Sequence, residues 1–327
     1  MNRPVSSPFS AAPWAALLAR RAVQIVALAL LVGTLCFFMA RALPGDIAMR
    51  IAAGRYGYDL VDNAAAAAVR AELGLDRPVA EALLHWWSSL LRLDLGRSLV
   101  SGAPVWQELA HQFGATIDLS VAALLMAMLL GLPLGVWSGL HAGGRIDRAT
   151  LALAVVLRAL PAFLLAVLLM LLVAVHAGAL PVAGHGHAHS VLLPALTLAL
   201  GLAAGLARVT REAMRTVIAS PAYAFAQSKG LCDGQALLRR GLRGAAVPVV
   251  AYLGVHAVFL VEGALVVETL FAWPGIGHAL VHAVFGRDVP MIQGTALCMG
   301  LLFVAINLLV DAACLALDPR RRMGGPE

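Results

Sequence analysis

Lysine is nearly absent from this 327-residue chain: there is one, Lys229. Charge is scarce altogether, 13% of residues against 61% hydrophobic, which is more apolar surface than a water-soluble protein of this size can bury. A soluble fold is therefore excluded and a bilayer is implied. The four cysteines (Cys36, Cys232, Cys298, Cys314) form no CxxC and no even spacing, so a disulfide framework is not expected and they are read as packing residues. The sole lysine is followed by Gly230, so the GxxxxGK[ST] phosphate loop cannot be written anywhere in the chain. If ATP drives this protein, another chain binds it. HExxH and GxSxG are missing too. The nearest approach to a catalytic pair is Glu81 and His85, one helical turn apart in EALLH, a spacing that an ordinary surface pair also gives.

What is present is a series of apolar runs separated by loops of unequal charge. The first uncharged run is 22–40, preceded by Arg20 and Arg21; its 19 residues exceed a signal-peptide core and suffice to span a bilayer, so it reads as an uncleaved span. Further runs lie at about 119–140, 149–175, 191–207, 245–267 and 291–310. The turn HAGGRIDR, the segment 208–248 and the tail DPRRRM carry the basic residues and belong inside, whereas 176–190 holds no Lys or Arg and belongs outside. The expected fold is all-α: six transmembrane helices with both termini cytoplasmic and a helical periplasmic insertion after the first. In numbers, 1–21 is a cytoplasmic N-terminal segment, 22–40 the first transmembrane helix, 41–112 the insertion, 113–318 the main transmembrane domain and 319–327 a cytoplasmic tail. The insertion has seven arginines against eight acids and helix-like pieces at 62–73 and 78–92. Its Trp86, Trp87 and Trp106 fit either the membrane interface or packing within the insertion.

The segment 208–248 sets seven cations (Arg208, Arg211, Arg215, Lys229, Arg239, Arg240, Arg243) against two acids, Glu212 and Asp233. Ser220 is a good N-cap, Pro221 fits the first helical position, and Gly230 can end the helix in the left-handed conformation. Asp233 can cap a second helix running to about Ala245. The segment reads either as a topological basic loop or as a preformed knob for a soluble partner.

Two other sets of residues carry possible chemistry. His185, His187 and His189, with His176 nearby, alternate in a glycine-flanked loop and could offer imidazoles to nickel, copper or zinc, or be polar filler. Within the spans ionisable groups are costly and default to function. Arg158 lies ten residues into the third run, with Pro161 after it to loosen the helix; His256 and Glu262 mark the fifth run, and Asn307 and Asp311 share a face of the sixth.

Several blocks, in order, give the chain a resemblance: LPGD (43–46), LGLDRP (73–78), LDLGRSLVSGAPV (93–105), GLPLGV (131–136), LPALTLAL (193–200), VVETLFAWPGIG (266–277), RDVPMIQG (287–294) and NLLVDAACLALDPR (307–320). They resemble the inner-membrane permease subunits of bacterial ABC importers for dipeptides, oligopeptides and nickel, specifically the first permease of the pair. The resemblance implies that 208–248 is the coupling segment. Ala226, Lys229, Gly230 and Pro248 fall on the family's motif, and Ser220, Pro221, Tyr223 and Leu231 join them as ATPase-coupling residues. The chain departs from the family at Ala224 and Gln227, where basic residues are usual, and at Arg158 and Ala159, ahead of Pro161.

The function so implied is a permease of an ATP-driven importer of di- or oligopeptides, without catalysis of its own. No cofactor is expected in this chain, with ATP and Mg in partner subunits. The partners are a homologous second permease forming a heterodimer, two ATP-binding subunits, a periplasmic substrate-binding protein and the lipid bilayer. The site is the bacterial inner membrane, multi-pass. Arg158, Pro161, His256, Asn307 and Asp311 are expected along the translocation path. The alternatives are the same machinery carrying nickel or a metal-chelate, which the histidine loop would suit, and more remotely an intramembrane enzyme. A nucleic-acid-binding helix-turn-helix at 221–245 is disfavoured by the apolar spans that flank it.

Overall fold

The computed structural model describes residues 11–42, 46–56, 62–73, 78–92, 94–184, 189–229, 235 and 241–317. Among them the chain is helical apart from turns and one isolated bridge, Arg97 to Pro104. The helices are α1 (Ala11–Ala42), α2 (Ile47–Tyr56), α3 (Asn63–Leu73), α4 (Val79–Leu91), α5 (Val105–Leu140), α6 (Arg145–Ala159), α7 (Ala162–Leu169), α8 (Leu192–Ile218), α9 (Pro221–Ser228), α10 (Leu242–Leu270), α11 (Ile276–Gly286) and α12 (Val289–Leu317). Five are long and apolar enough to cross a membrane, and α6 with α7 and the π-helical turn Met170–His176 make a sixth if that pair is one span.

The expected third span is sharply broken. Its two halves meet at 106°. Leu160 is extended (φ −83, ψ 125), the conformation a following proline imposes, and Pro161 starts α7 where its missing N–H costs nothing. A second departure is at α8, which continues to Ile218 rather than ending near 207. Arg208, Arg211 and Arg215 thus extend the fourth span as a helix. A third is α11, a helix in the Gly/Pro-punctuated stretch 271–290 between the apolar runs 245–267 and 291–310.

The residues fall into two compact units, Met1–Phe113 with Ala279–Leu308 and Gly114–His278 with Leu309–Glu327. In the first, Ala48, Ile51, Ala52, Ala66, Val69 and Leu99 make a small core between α2 and α3. Asp46 caps α2 through the Ala48 N–H (2.9 Å) and pairs with Arg70 (2.6 Å), while Asp62 accepts the Ala65 N–H at 2.7 Å at the start of α3. Trp86 donates its indole N–H to the Gly33 carbonyl of α1 (3.2 Å), so this tryptophan packs within the unit; Trp106 is exposed. Two of the sequence blocks meet here as well: the buried Ser98 of LDLGRS donates to Asp288 of RDVP, which also accepts the Met291 N–H (3.2 Å) and so caps α12.

In the second unit α8 is the central element, with buried residues from Leu193 to Met214. Its core draws in Leu119, Ala123 and Ala127 of α5 and Leu260, Ala264 and Val267 of α10. Gly131, Gly135 and Gly139 form a ridge on α5. An added Cβ at Gly135 would lie 2.6 Å from the Ala207 carbonyl and from Thr210 Cβ, and at Gly139 2.6 Å from Met214 Cβ. Such glycine spacing lets two helix backbones approach closely, which is how apolar helices associate where water supplies no driving force.

Candidate functional site

The segment around α9 is assembled from local chemistry. Ser220 is extended (φ −77, ψ 146); its Oγ accepts the Tyr223 N–H at 3.4 Å and donates to the Val217 carbonyl at 2.6 Å, which ends α8 and starts α9 in one residue. Pro221 occupies the first turn of α9. Tyr223 and Ala226, three apart, are buried against Val217 and Ile218. That leaves the other face of α9 outward, with Phe225 60% exposed and the Lys229 ammonium 4.8 Å from its ring centroid. Ala224 and Gln227 are on the exposed side. Gly230 and Leu231 lie outside the described residues, as does the second helix read from Asp233, apart from Gln235. Pro248 lies inside α10.

An ion pair ties this segment to the HAGGRIDR turn. Arg211 of α8 grips both carboxylate oxygens of Asp147, through Nε and through Nη2 (2.8 Å), and Asp147 also accepts the Gly143 N–H at 2.7 Å. Asp147 is buried and Arg211 nearly so, which makes the contact bidentate and poorly hydrated. Arg211 and Arg215 also flank Glu212, at 3.6 and 3.5 Å. Nothing in the order of residues pairs Asp147 with Arg211, 64 positions away; an acid within a basic turn was the available signal.

At the other end of α10 the VVETLFAWPGIG block forms a clasp. Glu268, fully buried, accepts from Thr116 Oγ1 (2.7 Å), from the Gly277 N–H (2.8 Å) and from the His278 N–H (3.3 Å). Thr116 in turn accepts the Ile276 N–H (2.8 Å), and the Trp273 indole donates to the Ala115 carbonyl (2.9 Å). One carboxylate therefore serves as the cap of α11, whose first N–H groups have no helical partners, and ties α10 to α5. Sequence reasoning singled out the block and missed the role of its glutamate.

Between these ends lies a polar cluster in apolar surroundings. Arg158 closes α6 just before the break and is exposed in the single chain. Above Gly205 of α8, an ideal Cβ would meet the Tyr252 hydroxyl at 1.8 Å and Arg158 Nη1 at 3.1 Å, so both groups look onto one spot. His256 stacks on the Tyr252 ring (centroids 3.8 Å apart) and its Nδ1 faces the Tyr252 carbonyl at 3.1 Å. Arg158 and His256, 98 positions apart in sequence, are thus neighbours. Tyr252 is the member that sequence reasoning missed, although Tyr and His four apart in an apolar run are a readable signal. Of the other expected pathway residues, Pro161 is at the break, Asn307 turns back on the Phe303 carbonyl (2.8 Å), and Asp311 follows one turn along α12. Of the histidine loop, His185 and His187 lie outside the described residues and His189 is exposed. Among the described residues no group of three or more His, Cys, Asp or Glu could hold a metal ion.

Comparison with known proteins adds four findings. The family model described as "Binding-protein-dependent transport system inner membrane component" matches residues 131–323. The glutathione transport system permease protein of Pectobacterium atrosepticum is 39% identical over 303 residues, 93% of this chain and 97% of that protein. A Brucella abortus protein named for a peptide transport system permease is 36% identical over 315 residues, 94% of this chain and 99% of its own. Among solved structures, an inward-facing MetNI methionine ABC transporter aligns with a TM-score of 0.56 at 19% identity, over 66% of this chain and 98% of that chain. That last likeness is one of fold.

Proposed function

This chain belongs to the family of binding-protein-dependent transport system inner membrane components, and from that premise we propose that it is the first of two permeases lining an importer of small peptides. It is a multi-pass permease subunit of an ABC importer and is not itself the catalyst. In the proposed assembly a homologous second permease completes the channel as a heterodimer. Two ATP-binding subunits hydrolyse MgATP on the cytoplasmic side, and a periplasmic binding protein delivers cargo across the bacterial inner membrane. Residues 1–21 and 319–327 then lie in the cytoplasm, 41–112 outside, and 208–248 against the ATP-binding subunits.

The observation that carries this reading is α9. It is capped by Ser220, seated on α8 through Tyr223 and Ala226, and presents Phe225 and Lys229 outward. A rigid, exposed helix on a long lever suits the conversion of ATP-driven closure into helix movement between inward and outward states. Peptide cargo is the reading supported by relatives named for glutathione, itself a tripeptide, and for peptides. The metal-chelate alternative has no such support.

Affinity purification from the native membrane tests the assembly: a second homologous permease and ATP-binding chains should accompany this one, and the reconstituted complex should take up a peptide only with ATP and binding protein. A chain that purifies alone, or uptake indifferent to ATP, would sink the reading.

A further inference from the structure

The Arg158 cluster calls for an explanation that packing does not give. Along α6, at about 1.5 Å per residue, Arg158 lies about 20 Å from Arg145, in the basic turn. Gly205 is about 20 Å into α8 from Leu192, and His256 about 20 Å into α10 from Leu242. Three helices, two entering from one side and one from the other, thus bring these groups together well inside a hydrocarbon layer about 30 Å thick.

A guanidinium at that depth is tolerated where it meets an anion or a water-filled cavity rather than lipid. Among the described residues Arg158 makes no ion pair. The Tyr252 hydroxyl beside it is buried and has no hydrogen-bond partner. Buried hydroxyls normally have one. The Tyr252 carbonyl can only accept, so a neutral His256 donates from Nδ1 and keeps its ring stacked on the tyrosine, which fixes the direction of the hydroxyl. Gly205 leaves the space that Arg158 and Tyr252 share; a Cβ there would collide with the hydroxyl. The Leu160–Pro161 break directly follows Arg158, so the residue sits at the point where α6 gives way to α7.

We propose that Arg158 and Tyr252, oriented by His256 over Gly205, form a mid-membrane subsite for the carboxylate of the transported peptide. The fork of Arg158 matches a carboxylate in shape and charge, and the unpartnered hydroxyl supplies a further donor to the same group. A free α-carboxylate is the feature common to di-, tri- and oligopeptides whatever their side chains. One fixed cation therefore serves many cargoes, while selectivity among side chains rests with the binding protein. The inference depends on the peptide-importer reading above.

The test uses the complete importer in proteoliposomes with its binding protein, ATP inside, and a labelled dipeptide as cargo. In Arg158→Gln uptake is expected to fall about ten- to hundredfold, the factor that corresponds to losing hydrogen bonds to a charged group. Stimulation of ATP hydrolysis by the loaded binding protein should stay within about twofold of the unsubstituted complex, because α9 and its anchor are untouched. Arg158→Lys keeps the charge and should retain uptake within about fivefold, and Tyr252→Phe should cost less than Arg158→Gln. Uptake by Arg158→Gln equal to that of the unsubstituted complex overturns the proposal. So does an equal loss in Arg158→Lys accompanied by lost ATPase stimulation, which would make Arg158 a packing residue. If the unsubstituted complex shows no ATP-dependent peptide uptake at all, it is the importer reading that fails, and the subsite with it.

Discussion

The clasp around Glu268 and the anchored helix α9 serve the same unit in contrasting ways. At the clasp the participants are buried except for the half-buried His278: Thr116 and Glu268 are fully enclosed, Ile276 and Phe271 nearly so, and one carboxylate satisfies donors from α5 and from the start of α11. The α9 end has one buried ion pair, Asp147 with Arg211, and a two-residue core under α9, with the rest of that helix facing outward. Buried, mutually satisfied polar groups rigidify, whereas an element with few buried contacts opens at low cost. The clasp thus holds helices in register, whereas α9 is seated on α8 by a two-residue core.

The sharpest way to break this comparison is Glu268→Ala. It leaves the Gly277 and His278 N–H groups and the Thr116 hydroxyl short of an acceptor in a buried place, and opens a cavity besides; a loss of about 3 kcal/mol or more is expected. Thermal unfolding of the purified protein in detergent should register it, and uptake should fall in proportion to the folded protein remaining. A melting temperature unchanged by this substitution would remove the clasp as a structural element.

Arg211→Ala comes next. It strands the Asp147 carboxylate without its guanidinium, and for a pair this enclosed the loss is about 3 kcal/mol, partly offset because Arg211 retains some exposure and Gly143 still donates to the acid. The double substitution Asp147→Ala with Arg211→Ala should recover part of the stability lost in Arg211→Ala alone, since the stranded charge goes too. Denaturant unfolding of the four proteins in a double-mutant cycle measures the coupling, and strictly additive losses would show that the two residues do not act as a pair.

Much of this architecture could be read from sequence because bilayers impose a simple rule: runs of about twenty uncharged residues are spans. The rule is silent on helices that continue past the membrane. Arg208, Arg211 and Arg215 read as a loop, yet Ala207, Thr210 and Met214, each just before one of them, keep the helical period and are buried. Pro161 was legible as a weak point, but the 106° bend depends on Leu160 adopting the extended form and on what α7 packs against. α11 was hidden because its cap comes from Glu268, on the far side of a Trp-Pro-Gly turn. The ridge Gly131, Gly135, Gly139 was visible as a repeat of four and went unread as a contact. At the candidate sites the same division holds. Ser220 and Pro221 act on their immediate neighbours, so capping preference locates them. Asp147 meets Arg211 and Tyr252 meets Arg158 far along the chain, and no local pattern announces either contact.

The smallest stability effects sharpen the contrast most. Ser220→Ala removes the side-chain acceptor of the Tyr223 N–H and should cost about 1 kcal/mol, with α9 fraying from its start. Phe225→Ala should cost less than about 0.5 kcal/mol, because the ring is 60% exposed and its intramolecular contact is the outward Lys229. Yet aromatic side chains of this kind are the groups that anchor protein interfaces, and losing one removes far more from binding than from folding. Peptide uptake by Phe225→Ala should therefore fall about tenfold while the melting temperature holds, the reverse of what Glu268→Ala does per folded molecule. Measured in parallel with co-purification of the ATP-binding chains, that dissociation of transport from stability identifies the outward face of α9 as a contact surface; full uptake in Phe225→Ala would mean that the partner grips the segment elsewhere.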